Sequence, residues 1–192
     1  MRYLIFTLSI LVFSACNPVN LNDNSNPKAL DNIQQIDTKT QKDILDLINS
    51  VRANGRYCGN KYFEAAPPLK WNQNLYNASY EHSWDMEESG KFSHDGSGTI
   101  SDKTAQDLKL NRGSYFNERI EHNGYNYSWA GENIYMSSYK SSASDAIDAW
   151  VKSPGHCENL MNPNFKEVAV AVVVKSDGSS YWTQDFGAKR GN

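Results

Sequence analysis

Ala149-Trp150-Val151-Lys152-Ser153-Pro154-Gly155-His156-Cys157-Glu158-Asn159-Leu160-Met161-Asn162-Pro163-Asn164-Phe165 is the stretch on which the reading of this chain turns. It carries one of four histidines, one of three cysteines and two prolines. Trp150, Val151, Leu160, Met161 and Phe165 form an apolar set around His156 and Cys157, so the local expectation is an amphipathic helix that ends in a Pro-Gly turn. The stretch also divides two periodicities. Downstream, Val168, Val170, Val172 and Val174 alternate with Ala169, Ala171 and Val173, Asp177-Gly178 makes a turn, and Tyr181-Trp182-Thr183-Gln184-Asp185-Phe186 returns. That is a β-hairpin.

Upstream, the period is helical. A first helix is expected over about Thr40–Ala53, with Thr40 and Asp43 at its start and Ile44, Leu45, Leu47, Ile48 and Val51 on one face. A second runs over about Gln73–Ser89, with Leu75, Ala78, Ser79, His82 and Met86 inward, which makes His82 a core histidine. A short helix at Lys103–Leu110 lies in an otherwise exposed polar insertion, Gly96–Arg112. A third helix, about Tyr115–Asn123, is capped by Ser114 and ends at His122 beside the helix dipole; a fourth, about Ala143–Val151, is capped by Ser142 and Asp145. Helices followed by a terminal antiparallel hairpin make the chain α+β.

Composition narrows the function. The 192 residues carry a net charge of −3, which leaves no basic footprint for nucleic acid. Arg2, the apolar run Tyr3–Phe13 and the small residues Ser14 and Ala15 read as an export signal over residues 1–15. That run is short of the roughly 20 residues of a membrane span. Phe13-Ser14-Ala15-Cys16 is similar to a bacterial lipobox, which implies a chain cut before Cys16, acylated there and held at a membrane; plain secretion is the alternative. The Asn- and Pro-rich residues that follow, to residue 37, read as a tether with a reach of roughly 25 Å, and residues 38–192 as the domain. In an oxidising compartment Cys58 and Cys157 are expected to pair, closing a loop worth at most about 4.7 kcal/mol. The alternative is Cys157 acting beside His156 as nucleophile or metal ligand.

Two further features suggest a site. His94 sits on a loop between Ser93 and Asp95, and Trp129-Ala130-Gly131-Glu132-Asn133-Ile134 places a carboxylate next to a glycine among apolar residues, as where two backbones approach closely and the acid turns inward. Phe92-Ser93-His94, Gly131-Glu132-Asn133-Ile134, Trp150-x-x-Ser153-Pro154-Gly155-His156, Asn159-Leu160-Met161-Asn162-Pro163 and Tyr181–Gly187 occur in that order. Together they resemble a bacterial member of the CAP superfamily of cysteine-rich secretory, antigen 5 and pathogenesis-related proteins, over about Thr38–Ala188. The resemblance implies a three-layer α-β-α sandwich with a central antiparallel sheet. It also implies a cleft holding His94, Glu132 and His156, and it supports the Cys58–Cys157 bridge. The family's second acid falls at Ser153, so that acid is missing.

His94 and His156 are thus candidate Zn²⁺ ligands, and Glu132 is the candidate catalytic base. The favoured expectation is a lipid-anchored, surface- or periplasm-facing, non-catalytic binding module, with the outer membrane favoured by analogy. It would act as a monomer and take a divalent metal and a small apolar, lipid or extended peptide ligand. Tyr125, Tyr127, Trp129, Tyr135 and Tyr139 would line the cleft, or simply serve as core and rim aromatics. The alternatives are a metal-assisted envelope hydrolase, and an interaction protein in which the His/Glu cluster is structural and the 96–112 insertion meets a partner.

Overall fold

The computed structural model describes residues 36–191, so the expected signal, the acylated Cys16 and most of the tether lie outside the described residues. Helix α1 spans Thr38–Arg52, and Asp37 caps it by accepting from the Thr40 N–H at 2.9 Å. The expected Thr40–Asp43 start is therefore displaced to Asp37, which accepts from both the N–H and the hydroxyl of Thr40, while Asp43 pairs with Lys39 on the exposed face. Strands β1 (Arg56–Cys58) and β2 (Lys61–Phe63) form a small hairpin, and β3 is the two-residue strand Lys70–Trp71. Helix α2 spans Gln73–Ser89, capped by Asn72 and closed by Gly90. Short helices α3 (Lys103–Asp107) and α4 (Phe116–His122) follow, then the long strand β4 (Tyr127–Ser137), which the sequence pattern alone does not reveal. Helix α5 is Ala143–Lys152, α6 is Pro154–Met161, and the hairpin strands are β5 (Glu167–Val174) and β6 (Ser180–Lys189).

Two local expectations change. Pro154 does not end a helix in a turn. It occupies the first position of α6, where its missing N–H is no loss and its fixed φ suits the helix. Ser114 does not cap α4; Tyr115 does, with the Glu118 carboxylate accepting from the Tyr115 N–H at 2.8 Å.

The main sheet has strand order β3-β5-β6-β4 and is antiparallel except for the two-residue β3, which pairs with β5 in parallel. Its two faces differ. One presents Val168, Val170, Trp182 and Phe186 to Ile44 and Ile48 of α1, Ala146, Ile147 and Trp150 of α5 and Leu160 of α6, forming the apolar core. The other meets α2 through small and polar groups: the Ser79 hydroxyl donates to Asp185 at 2.9 Å and the Ser83 hydroxyl to Thr183 at 2.9 Å. The result is the expected α+β sandwich.

Beside β4, the indole N–H of Trp150 donates to the Ile134 carbonyl at 3.0 Å, and the Asn159 amide donates to the Glu132 carbonyl at 3.1 Å. Asn159 also donates to the Asn133 side chain, whose own amide reaches the His156 carbonyl at 3.1 Å. These bonds fasten α5 and α6 to the strand. Gly131 is required where they meet, since a Cβ there would lie 2.7 Å from the Phe165 ring.

The 96–112 segment is less free than its polarity suggests. Asp102 is 1% exposed and accepts from the N–H groups of Gly98, Ala105 and Ser114, while Glu81 and Asp85 of α2 reach across to Thr104, Ser97 and Ser101.

Cys58 and Cys157 form a disulfide with 5.4 Å between their Cα atoms, joining β1 to α6 across 99 residues. Both cysteines are buried, together with Met161. Replacing both by alanine should lower the unfolding free energy by about 2–5 kcal/mol, measured in urea as a lower midpoint with a steeper slope, since the unfolded chain without the cross-link exposes more surface.

Candidate functional site: a histidine cleft over a buried ion pair

Glu132 lies in the middle of β4, opposite Asp185 of β6, and is 5% exposed. A carboxylate so placed needs a cation and hydrogen-bond donors. Arg119, from α4, supplies the cation: its guanidinium donates to Glu132 Oε2 at 2.8 Å and, with the same nitrogen, to the His94 carbonyl at 2.9 Å. Its other terminal nitrogen bonds the Ser114 carbonyl at 2.9 Å. The remaining carboxylate oxygen, Oε1, accepts from His94 Nδ1 at 2.8 Å. Burial pushes the Glu132 carboxyl up, but the charge of Arg119 and the neighbouring imidazoles override it and hold the pKa at about 2. A carboxylate with both oxygens engaged and so low a pKa is a weak proton acceptor.

Arg119 is the site residue that sequence reading missed. An acid predicted to turn inward demands a buried cation, but nothing in Asn117-Glu118-Arg119-Ile120 marks this arginine from others in the chain. Its own burial would lower its pKa; facing Glu132 raises it instead.

Of the predicted site residues, the structure brings His94 and Glu132 into contact and sets His156 opposite them. His94 follows α2 on a bend, with its side chain 49% exposed. His156, the third residue of α6, is half-buried, and the two ring centroids are 6.3 Å apart. Burial, then the neighbouring His94, lowers the His156 pKa and favours the neutral ring. Ser153, where the resemblance leads one to look for an acid, joins α5 to α6 through backbone bonds only. The two histidines open on a cleft of about 410 Å³ lined also by Phe92, Ser93, Asp95 and Ile134. None of the five aromatics expected there lines it. Tyr125 is buried, donating to Glu167 at 2.7 Å, and Trp129 belongs to another cavity.

The geometry of the two imidazoles bears on whether they could share a metal ion. His94 donates through Nδ1 to Glu132, which leaves Nε2 as a bare acceptor, the orientation a carboxylate imposes on a metal-binding imidazole. Two imidazoles sharing one Zn²⁺ at about 2.1 Å have centroids roughly 5–6 Å apart, so the 6.3 Å seen here lies just beyond the open end of that range. The chain thus offers two nitrogens, and among the described residues no three His, Cys, Asp or Glu side chains converge on a common point.

His82 lies beneath the cleft as a core residue. Its Nε2 donates to the Ser93 carbonyl at 2.8 Å, and Nδ1 has no partner. Burial, reinforced by Arg119, lowers its pKa to about 3. Although its Nε2 is 4.0 Å from Glu132, it is a neutral neighbour and not an ion-pair partner.

The pH behaviour follows. His82 moves from an ordinary 6.5 to about 3 on folding, so its stabilisation is full above pH 6.5 and is lost as pH falls toward 3. Glu132 moves from 4.5 to about 2, so its share is full above 4.5 and is lost below. Asp185, raised by burial and by Glu132, has the opposite sign: its share is lost as pH rises. In urea titrations from pH 3 to 6.5, His82→Gln should flatten the stability slope by about 1.4 kcal/mol per pH unit, one proton's worth. Arg119→Met should cost about 3–5 kcal/mol at pH 7, and adding Glu132→Gln to it should recover part of that loss.

A match to the cysteine-rich secretory protein family covers residues 45–186. An uncharacterized membrane protein of Bacillus subtilis, YlbC, is 30% identical over 162 residues, 83% of this chain and 38% of that protein. The chain spans less than half the length of the curated relatives it matches. Among solved structures, an extracellular SCP-domain protein from Bacillus anthracis aligns with a TM-score of 0.60 at 28% identity, over 86% of this chain and 45% of the other. An outer surface protein from Borrelia burgdorferi shares the fold, with a TM-score of 0.58 at 17% identity, over 81% of this chain and 97% of the other. The aligned family region contains Glu132, Arg119, both cleft histidines and both paired cysteines, and the chain belongs to the CAP, or cysteine-rich secretory protein, family.

Proposed function

We propose that this domain is a binding module of the cell envelope whose cleft takes a divalent metal between His94 and His156 together with a small apolar or extended ligand. One observation carries the reading. Glu132 is committed to Arg119 and His94, and it leaves the Nε2 of that imidazole free in an open cleft that His156 also lines, with the two ring centroids 6.3 Å apart. When bound, a metal would supply a Lewis-acid point for a carbonyl or carboxylate of the ligand. The partly exposed Phe92 and the buried Ile134 add apolar lining. Acylation at Cys16 would hold the domain at a membrane, with simple secretion as the alternative. Among the described residues no helix is long and apolar enough to cross a membrane.

A second reading, a purely structural His94–Glu132–Arg119 cluster, has support in the complete engagement of the Glu132 carboxylate. Calorimetry with Zn²⁺ separates the two. The binding reading expects heat from the intact domain, and its loss in both His94→Ala and His156→Ala with melting temperatures kept within a few degrees. Equal heats in all three proteins, or no heat in the intact one, would remove the metal site. A structural cluster predicts instead that His94→Ala lowers stability while His156→Ala leaves it unchanged.

A further inference from the structure

At the opposite end of β4 from Ser137 there is a second, larger cavity that shares no residue with the histidine cleft. It measures about 680 Å³, within the usual range of about 300–1,000 Å³ for ligand sites, and is lined by Pro68, Lys70, Ser128, Trp129, Asn164, Lys166, Glu167, Ala188 and Lys189. It gathers three lysines against one carboxylate in a chain whose net charge is −3. Among the described residues Lys70 has no side-chain partner. Lys166 donates to the Pro163 carbonyl at 2.8 Å, and Lys189 lies 3.7 Å from Glu167, with its side chain 64% exposed. Glu167 is already engaged by Tyr125 and Asn72. The ammonium groups are therefore largely unneutralised.

Trp129 is 51% exposed at this cavity, the most exposed tryptophan of the chain. Its placement is built in: the β4–β6 register shifts between Tyr127 and Trp129, so that Ser128 is the extra residue and Trp129 stands opposite Ala188. A bulge of this kind re-aims a side chain at a strand end. The Ser128 hydroxyl secures it on the Ala188 carbonyl at 3.2 Å.

We infer that this cavity is a second binding site, for an anionic oligosaccharide: Trp129 offers a flat apolar face to a sugar ring, and Lys70, Lys166 and Lys189 meet carboxylate or phosphate groups along the chain. Asn164 supplies an amide for sugar hydroxyls. A single-stranded nucleic acid shares the need for stacking and positive charge, but it asks for a basic groove that follows the backbone and for successive stacking aromatics, and one aromatic with a single amide beside it suits a sugar better.

The test is calorimetric titration of the folded domain with a tetragalacturonate, alongside a neutral maltotetraose and a thymidine tetranucleotide, at low and high salt. The proposal expects the acidic sugar to bind at least tenfold more tightly than either, and more weakly as salt rises. Trp129→Ala and the double variant Lys70→Ala/Lys166→Ala should each weaken it at least tenfold. All these positions are exposed, so melting temperatures should hold, and His94→Ala should bind as the parent does. No binding of the acidic sugar, equal binding of the neutral one, tighter binding of the tetranucleotide, or unchanged affinity in Trp129→Ala would each overturn the proposal.

Discussion

The ion pair between Arg119 and Glu132 is the constraint on which the site depends. Taking a carboxylate out of water costs several kcal/mol even after the surroundings relax, and the cost is met only when a cation and good hydrogen bonds accompany it. Glu132 therefore cannot sit in the middle of β4 unless α4 delivers Arg119. Arg119 cannot be delivered unless the loop before α4 turns its Ser114 carbonyl toward the guanidinium. The same guanidinium holds the His94 backbone, so one buried charge positions the acid, the histidine and the loop between α2 and α4 together. Losing either partner of that pair would strand the other.

That dependence explains the chemical character of the cleft. Its carboxylate works through the imidazole it orients, not through a free lone pair of its own. His156 is carried on α6, whose position is fixed by the Cys157 disulfide to β1 and by Asn133 and Asn159 at β4. The two histidines thus come from different helices' ends, both tied to Glu132 and Asn133 of β4, and have no direct bond between them.

Much of this was legible in the sequence because it rests on short-range pattern. The span of α2, the cap of α5 at Ser142 and Asp145, and the β5–β6 hairpin all follow from periodicity and turn chemistry within one short stretch each. The inward turn of Glu132 beside Gly131 follows from the close approach of Phe165. What was not legible depends on long-range partners. Strand β4 alternates poorly because Glu132 and Asn133 are both buried for polar reasons, on opposite faces of the sheet. Arg119 looks like any arginine in a helix until Glu132 is placed beside it. Pro154-Gly155 resembles a turn, and only the continuation through Leu160 and Met161 into the core makes proline the opening of a helix. The 96–112 segment is polar because its side chains bond to the acids of α2, which composition alone reads as exposure.

The bonds from Trp150 and Asn159 to the carbonyls of β4 have a consequence beyond packing. β4 is the outermost strand of the sheet, eleven residues long, and its free side is where another chain would ordinarily add on. Two side chains already occupy the acceptors at Glu132 and Ile134, at the centre of that side. A neighbouring copy cannot extend the sheet there without first breaking both. That edge is thereby protected from strand addition without relying on charge repulsion.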